Sequence, residues 1–181
     1  MFGYGSLVDP ESFADTLGRS LQPGLDLFEA ELAGFGRRWN YGVMHSTGRA
    51  VGLDGGSTDY TLVALGIVEA ERETVNGVIG WVTDEELVGL DRRERHYDRV
   101  EVTRQVSVGG AGHVDGPIVV YVPRAEAVAH YESARDRGVA AIERRYWELV
   151  DAAFASLGED AHVRYRATTP APEVPILVLV R

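Results

Sequence analysis

The first residues of the chain, Met1-Phe2-Gly3-Tyr4-Gly5-Ser6-Leu7, form a short segment in which one residue separates two glycines. Val8-Asp9-Pro10-Glu11 follows and is typical of a helix start. A strand that ends in Gly-x-Gly before a helix exposes several backbone N–H groups. Gly3 and Gly5 can adopt positive φ and let a ligand approach the main chain. The turn could therefore bind an anion or a carbonyl oxygen; a tight turn without a ligand is the alternative.

Three better-known motifs do not fit this turn. A dinucleotide-binding fingerprint needs a third small residue where Val8 stands. A phosphate-binding loop needs a lysine, and the chain contains none. Ser6 would need a glycine two residues later to be the nucleophile of a strand–turn–helix elbow, and that position is again Val8. The turn is therefore not explained by any of these motifs.

Glu94 is the second residue with a pattern that suggests chemistry. Thr83-Asp84-Glu85-Glu86 has the pattern of a capping box and predicts a helix start. Leu87, Leu90 and Glu94 then follow at spacings that put them on one helix face. A carboxylate beside core-facing leucines, in the last turn of a helix, should have a raised pKa, as a general acid/base requires. A helix-end glutamate paired with a neighbouring arginine is the alternative.

A third segment, Gly36-Arg37-Arg38-Trp39-Asn40-Tyr41, places two arginines beside two aromatic residues. This predicts either a wall for a small anionic ligand, with Arg37 and Arg38 as candidate contacts, or a solvated edge strand. No metal site is predicted, because the chain has no cysteine and its five histidines form no pair at i, i+4.

Hydrophobic periodicity predicts the elements that must position these residues. Strands are expected at 25–35, 60–68, 75–82, 100–108, 117–122 and 174–180, and helices at 10–17, 83–94 and from 125 to 158 with a break at Gly138. Turns are expected at 23–24 and 109–116, and a mobile glycine-rich loop at 48–59. The elements are interleaved without a regular βαβ rhythm, repeat or domain boundary. One α+β (mixed α/β) domain over 1–181 is therefore predicted, with a strongly curved or barrel-like sheet.

The amino-acid composition limits the classes of partner that the chain is expected to bind. The chain has 181 residues and a formal net charge of −10, which argues against nucleic acid and against an anionic membrane surface. No apolar run approaches membrane-spanning length and no signal peptide is evident, so a cytoplasmic location is expected. All 18 basic residues are arginine, which favours bidentate recognition of a carboxylate.

Taken together, the motifs resemble the γ-glutamylcyclotransferase-like family. The resemblance covers most of the chain, in the right order, from Phe2 to about Leu149. It is carried by Phe2-Gly3-Tyr4-Gly5-Ser6-Leu7, by Leu90-Asp91-Arg92-Arg93-Glu94 followed by Tyr97 and Val100-Glu101-Val102, and by Tyr131, Gly138 and Tyr146. It implies a small mixed barrel flanked by helices.

The resemblance also assigns roles to residues. It implies that Tyr4, Gly5, Ser6 and Leu7 form the substrate loop and that Glu94 is the catalytic acid/base. Phe2, Gly3 and Tyr146 are further expected substrate contacts. Tyr97 and Tyr131 are additional candidates.

The implied reaction releases 5-oxoproline and an amine or amino acid from a γ-glutamyl substrate, with no metal or cofactor. The implied partner is this small molecule, and the chain is expected to be a monomer or homodimer. Two alternatives stay open: a non-catalytic relative that binds a small acidic metabolite, and a hydrolase or amide-ligase-like enzyme with the same pocket. The leaving group is not defined by the sequence.

Overall fold

A computed structural model of the chain describes residues 1–22, 24–51, 56–109 and 115–180. The strands are β1 (Phe2–Gly3), β2 (Leu27–Val51), β3 (Ser57–Gly80), β4 (Tyr97–Glu101), β5 (Val106–Val108), β6 (Val119–Pro123), β7 (Ala140–Glu143) and β8 (Ile176–Leu177). The helices are α1 (Pro10–Leu17), α2 (Asp84–Arg93), α3 (Ala125–Asp136), α4 (Arg144–Ser156) and α5 (Glu159–Thr168). Among the described residues, none of the helices is long and apolar enough to cross a membrane.

The long antiparallel pair β2–β3 forms the centre of a mixed sheet with the order β5-β2-β3-β7-β8. β1 also pairs with β3, and β7 runs parallel to both β3 and β8. β4 and β6 form a separate two-stranded antiparallel sheet. The combination of a mixed sheet with separate helices confirms the predicted α+β class.

β3 is one continuous strand, although the sequence predicted two. Glu69 lies opposite Phe35 and Thr74 lies opposite Ala33, so the two ends of the polar segment between the predicted strands pair with β2. Residues 70–73 lie opposite Gly34 alone, which has φ +82°, so the irregularity adds extra residues to β3. Pairing with β2 on both sides of this irregularity therefore keeps β3 continuous where composition alone would end a strand.

The predicted loop at 48–59 is also wrong in the part that the structure describes. β2 continues to Val51, β3 begins at Ser57, and Gly48 pairs with Tyr60. Residues 52–55 lie outside the described residues, as do Pro23 of the first predicted turn and residues 110–114 of the second.

The valine-rich segment at 100–108 is divided between two sheets rather than forming one strand. β4 pairs with β6, whereas β5 pairs with β2. Between them the amide of Gln105 donates to the carbonyl of Val102 at 2.9 Å, which closes a turn. Alternation of apolar residues cannot detect such a turn, because the residues on either side continue the same period.

The C-terminal half differs most from the prediction. β7 interrupts the expected helix, so Ile142 is a buried strand residue rather than part of a helical stripe. α5 follows Gly158 and was not predicted. The strand predicted at 174–180 is shorter in the structure, where it consists of β8 alone. Pattern alone does not distinguish a short buried strand from a helix segment, and the difference here is decided by pairing with β3.

Two predicted helices are confirmed with their caps: α1 follows the N-terminal turn, and α2 leads to Glu94. α1 begins where the Asp9 carboxylate accepts a hydrogen bond from the amide of Ser12 at 2.8 Å, and it ends at Gly18. α2 begins with the predicted capping box between Thr83 and Glu86. Local hydrogen bonds thus fix where each helix starts.

Candidate active site

The N-terminal turn is held against β3. β1 places Phe2 opposite Ile79 and Gly3 opposite Val78. The chain then makes a single 3₁₀ turn, in which the amide of Val8 donates to the carbonyl of Gly5 at 3.0 Å. Among the described residues, no acceptor is hydrogen-bonded to the amides of Gly5, Ser6 and Leu7. The first N–H groups of a helical turn have no acceptor within it, so these three amides are available to donate to a ligand or to water.

Glycine occurs at positions 3 and 5 of this turn because neighbouring atoms leave little room for a side chain, not because the backbone needs positive φ. Neither Gly3 nor Gly5 has positive φ, which corrects that expectation; Gly5 has φ −133°. A Cβ at Gly3 would lie 3.0 Å from the Cβ of Leu7, and a Cβ at Gly5 would lie 3.4 Å from the hydroxyl of Tyr146. The turn is compact because both glycines lack a side chain.

Glu94 is the C-cap of α2, and its amide donates to the carbonyl of Leu90 at 2.7 Å. Leu90 is buried, so the same helix face brings the carboxylate of Glu94 inward, with only 15% of the side chain exposed. Arg93 Nε lies 3.3 Å from Oε1 of Glu94. Burial raises the pKa of Glu94, and the neighbouring Arg93 guanidinium opposes that rise. Glu94 therefore fits both of the predicted descriptions: it is a desolvated acid, and it forms an ion pair with a neighbouring arginine.

The turn and Glu94 line one cavity of about 60 Å³. All of residues 2–7 contribute to its wall, and so do Glu94, Tyr97 and Tyr146. Amide groups and a buried carboxylate that are about 90 residues apart in the sequence therefore meet across a small space. Larger cavities exist elsewhere, but this one combines the main-chain amides of the turn with a largely buried carboxylate, an arrangement that could support chemistry.

Three further residues line the cavity and were not predicted: Leu65, Arg93 and Tyr121. Leu65 lies on β3 and Tyr121 on β6, within apolar strands that indicate only a core. Arg93 adjoins Glu94 in the sequence, and adjacency was the one signal that could have identified it. Strand residues that face a cavity have the same periodicity as those that face other side chains.

Hydrogen bonds fix the tyrosines around the cavity. The hydroxyl of Tyr4 donates to the carbonyl of Tyr121 at 2.8 Å, and the hydroxyl of Tyr121 donates to Asp91 at 2.8 Å. The hydroxyl of Tyr146 accepts from the amide of Leu65 at 3.3 Å. These bonds hold the side chains in place before any ligand arrives.

The phenols of the cavity are neutral at physiological pH. Burial raises the pKa of Tyr4, Tyr97 and Tyr146, and the nearby Glu94 carboxylate adds to each rise. Tyr97 also stacks on Tyr41 with ring centroids 4.4 Å apart. Neutral hydroxyls can donate or accept hydrogen bonds, and Glu94 is the one carboxylate among the described residues that line this cavity.

The remaining candidates do not line the cavity, which corrects the predicted anion wall. Arg37 is completely buried, so the alternative of a solvated edge strand is wrong at this position. Arg38 points to the surface and donates to Glu73 at 2.9 Å. Tyr131 is buried on α3, with the guanidinium of Arg135 5.5 Å from its ring centroid. Periodicity placed Tyr131 on a helix and neither arginine in an element, and it could not show which of these side chains other segments would cover.

No group of three or more metal-ligating His, Asp or Glu side chains occurs in the part of the chain that the structure describes. The histidines there engage other partners. His96 lies 3.2 Å from Glu126, and His162 lies 2.9 Å from Asp151.

Two of the solved structures that superpose on this chain are named as γ-glutamyl cyclotransferases. A γ-glutamyl cyclotransferase superposes with a TM-score of 0.56 at 15% identity, covering 94% of this chain and 87% of its own. A yeast γ-glutamyl cyclotransferase specific to glutathione gives 0.54 at 14% identity, with 93% and 95% covered. An uncharacterized human protein gives 0.56 at 16% identity, with 94% and 87% covered.

The chain has the γ-glutamyl cyclotransferase fold. No family model matches the sequence, and no curated protein matches it significantly. The similarity therefore lies in the path of the backbone, because the sequence identity to the two named enzymes is only 15% and 14%.

Within this γ-glutamyl cyclotransferase fold, burial of Glu94 should make stability depend on pH. Its folded pKa is raised, so its contribution is fully present below the unfolded value and is lost as the pH rises through the folded value. We expect Glu94→Gln to raise the Tm relative to the wild type at pH 7–8, and this difference to shrink near pH 4. Calorimetry at both pH values measures it.

The control for this experiment is Glu148→Gln, which changes a carboxylate exposed on α4. Water solvates this side chain in the folded and the unfolded state alike, so its Tm difference should be small at every pH. A Tm difference for Glu94→Gln that is the same at pH 4 and pH 8 would contradict the prediction.

Proposed function

We propose that this protein is a γ-glutamyl cyclotransferase, which converts a γ-glutamyl substrate into 5-oxoproline and a free amine or amino acid. The observation that carries the proposal is the shared cavity of the Gly5–Leu7 amides and the Glu94 carboxylate. The enzyme names of the structural neighbours support the same chemistry.

The reaction uses the substrate's own nucleophile. The α-amine attacks the γ-carbonyl carbon, a C–N bond forms to close the five-membered ring, and the C–N bond to the departing amine breaks. Because both reacting groups belong to one molecule, holding them in the right geometry can contribute roughly 7–11 kcal/mol. Because the cavity is small, about 60 Å³, we place the γ-glutamyl group in it and the leaving group towards the opening.

Glu94 moves the proton. The α-ammonium must lose one proton before it attacks, and its nitrogen loses a second as the ring C–N bond forms. The departing nitrogen gains one proton as its C–N bond breaks and a second as the free amine becomes an ammonium. A carboxylate with a raised pKa can accept each proton and donate it in turn. The charges balance without a metal or cofactor, because the two protons taken from the nucleophile are the two given to the leaving group.

The turn stabilises the oxyanion that forms on the γ-carbonyl oxygen. The unpaired amides of Gly5, Ser6 and Leu7 are donors for this charge and for the substrate's α-carboxylate. One such donor is worth about 3–4 kcal/mol in comparable sites. Glycine at position 5 leaves the main chain accessible, because no Cβ separates it from Tyr146.

The test supplies γ-glutamyl dipeptides and γ-glutamyl amines to the purified protein and identifies the products by mass spectrometry. We expect 5-oxoproline together with the free amine or amino acid. Free glutamate would instead identify a hydrolase. Binding without any product would identify a non-catalytic protein that holds a small acidic metabolite, and either result would overturn the proposal.

Tyr146→Phe should lower kcat/KM about fivefold, since one hydrogen bond in the cavity is worth about 1 kcal/mol. The hydroxyl of Tyr146 approaches Gly5 closely and accepts from Leu65, so its loss removes a polar contact and leaves the Leu65 amide unpaired. Steady-state kinetics measures the effect. Tyr60→Phe, outside the cavity, should leave the kinetics unchanged, and equal losses in both variants would contradict a role for Tyr146.

A further inference from the structure

Arg37 is the largest completely buried side chain among the described residues. Its Nε donates to the carbonyl of Tyr4 at 3.0 Å, and its terminal nitrogens donate to the hydroxyl of Thr169 at 2.9 Å and to the carbonyl of Asn76. No carboxylate of the described residues forms an ion pair with it. Every partner of this guanidinium is therefore a neutral oxygen.

Two aromatic rings line the guanidinium of Arg37. Its central carbon lies 4.8 Å from the ring centroid of Phe154 and 5.0 Å from that of Tyr165. Burial lowers the pKa of Arg37 to about 10, which still leaves it cationic at neutral pH. A buried charge without a counter-ion is costly, and an apolar side chain of similar size is often at least as stable. Stability alone therefore does not explain an arginine here.

The hydrogen bond to Tyr4 acts on the peptide that leads into the cavity. The carbonyl of Tyr4 and the amide N–H of Gly5 belong to the same peptide unit, which is trans. In a planar trans peptide these two groups point in opposite directions. Because the carbonyl faces Arg37, the N–H of Gly5 faces away from it. A charged donor on the carbonyl also polarises the amide and makes its N–H a stronger donor.

We propose that Arg37 is a positioning residue of the active site: it orients the Tyr4–Gly5 peptide and strengthens the Gly5 N–H as a donor to the substrate. It does so from behind the turn, without touching the substrate. This inference rests on the proposed function for its kinetic consequence, whereas its effect on the Gly5 amide does not depend on any activity.

The kinetic test compares Arg37→Lys with Arg37→Met. Lysine keeps a charge but cannot make the three-way set of contacts, and methionine keeps the stem but removes the charge. We expect kcat for 5-oxoproline formation to fall about tenfold for lysine and about 10²-fold for methionine, the range seen when one oxyanion donor is lost, with less than about threefold change in KM. A kcat that decreases in the order Arg, Lys, Met at position 37 would show that the positive charge contributes to turnover.

The second readout is the amide proton shift of Gly5 in the ligand-free protein, measured by ¹⁵N–¹H NMR. Loss of the charged donor should move this resonance upfield in Arg37→Met and less in Arg37→Lys. Arg135→Met is the control, because Arg135 also stacks on an aromatic ring but lies away from the turn. It should change neither the Gly5 resonance nor kcat.

The two measurements separate the two proposals. A folded Arg37→Met or Arg37→Lys with an unchanged Gly5 resonance and unchanged kcat would overturn the role of Arg37. If Arg37→Met does not fold, Arg37→Lys decides the question alone. If the wild type forms no 5-oxoproline, the proposed function fails, and the Gly5 resonance still shows whether Arg37 polarises this peptide.

Discussion

Glu94→Gln should lower kcat for 5-oxoproline formation by about 10²–10⁴-fold, because it removes the group that transfers the proton. Glutamine has the same shape and can fill the same space at the end of α2. The fold should therefore persist, and the substrate should still bind. Product formation measured at saturating γ-glutamyl dipeptide isolates the effect on kcat.

The matched control for this loss is Glu85→Gln, which lies on the same helix but is exposed at its first turn. It should leave turnover unchanged. Turnover in Glu94→Gln equal to that of the wild type would remove Glu94 from the mechanism, even if 5-oxoproline is the product.

The pH profile gives independent evidence on the same residue. Because burial raises the pKa of Glu94, kcat/KM should fall on the acid side at a pH above the ordinary glutamate value of 4.5. The acid limb belongs to the carboxylate that must accept the proton, so it should disappear from the residual activity of Glu94→Gln. An acid limb that persists in this variant would assign it to another group.

Gly77→Ala should have the second largest effect, on both stability and activity. Gly77 lies on β3 beneath β1, and a Cβ there would collide with the carbonyl oxygen of Gly3 and lie 2.9 Å from the ring of Phe2. Backbone cannot rotate away as a side chain can, so β1 must move. We expect the free energy of unfolding to fall by about 1–3 kcal/mol.

The activity of Gly77→Ala should fall by about 10²-fold, since a displacement of about 1 Å at the substrate turn is enough for such a loss. Urea unfolding and steady-state kinetics of the folded variant measure the two effects.

Gly89→Ala is the control: no atom lies within 4 Å of a Cβ there, and it is an exposed position within α2. That variant should gain about 0.5–1 kcal/mol of stability with unchanged activity. Normal kinetics in Gly77→Ala would show that the position of β1 does not matter.

The two halves of the candidate site were predictable because their signals are local. The capping box at Thr83 defines the start of α2, and the leucine spacing that follows it defines the inward face of the helix, on which Glu94 lies. The Gly-x-Gly pair before Asp9 marks the turn. Interactions between residues three or four apart determine both features, so a single sequence contains the information.

Arg37 shows where such information ends. Its position in a segment with a second arginine and two aromatic residues suggested a wall for an anion or a solvated edge strand, but Phe154 of α4 and Tyr165 of α5 enclose it. α5 itself was not predicted. Which residues cover a side chain depends on segments more than 100 positions away, and no local pattern encodes that distance.

The amino-acid sequence by itself determined the α+β class, the caps of α1 and α2, and the two segments that could carry chemistry, because short-range hydrogen bonds and helical spacing are properties of neighbouring residues. The tertiary structure alone decided that these segments meet in one cavity, that β3 is continuous, and that Arg37 lies behind the turn. Those outcomes depend on strand pairing and on burial between distant segments, whose free energies exist only when the chain is folded.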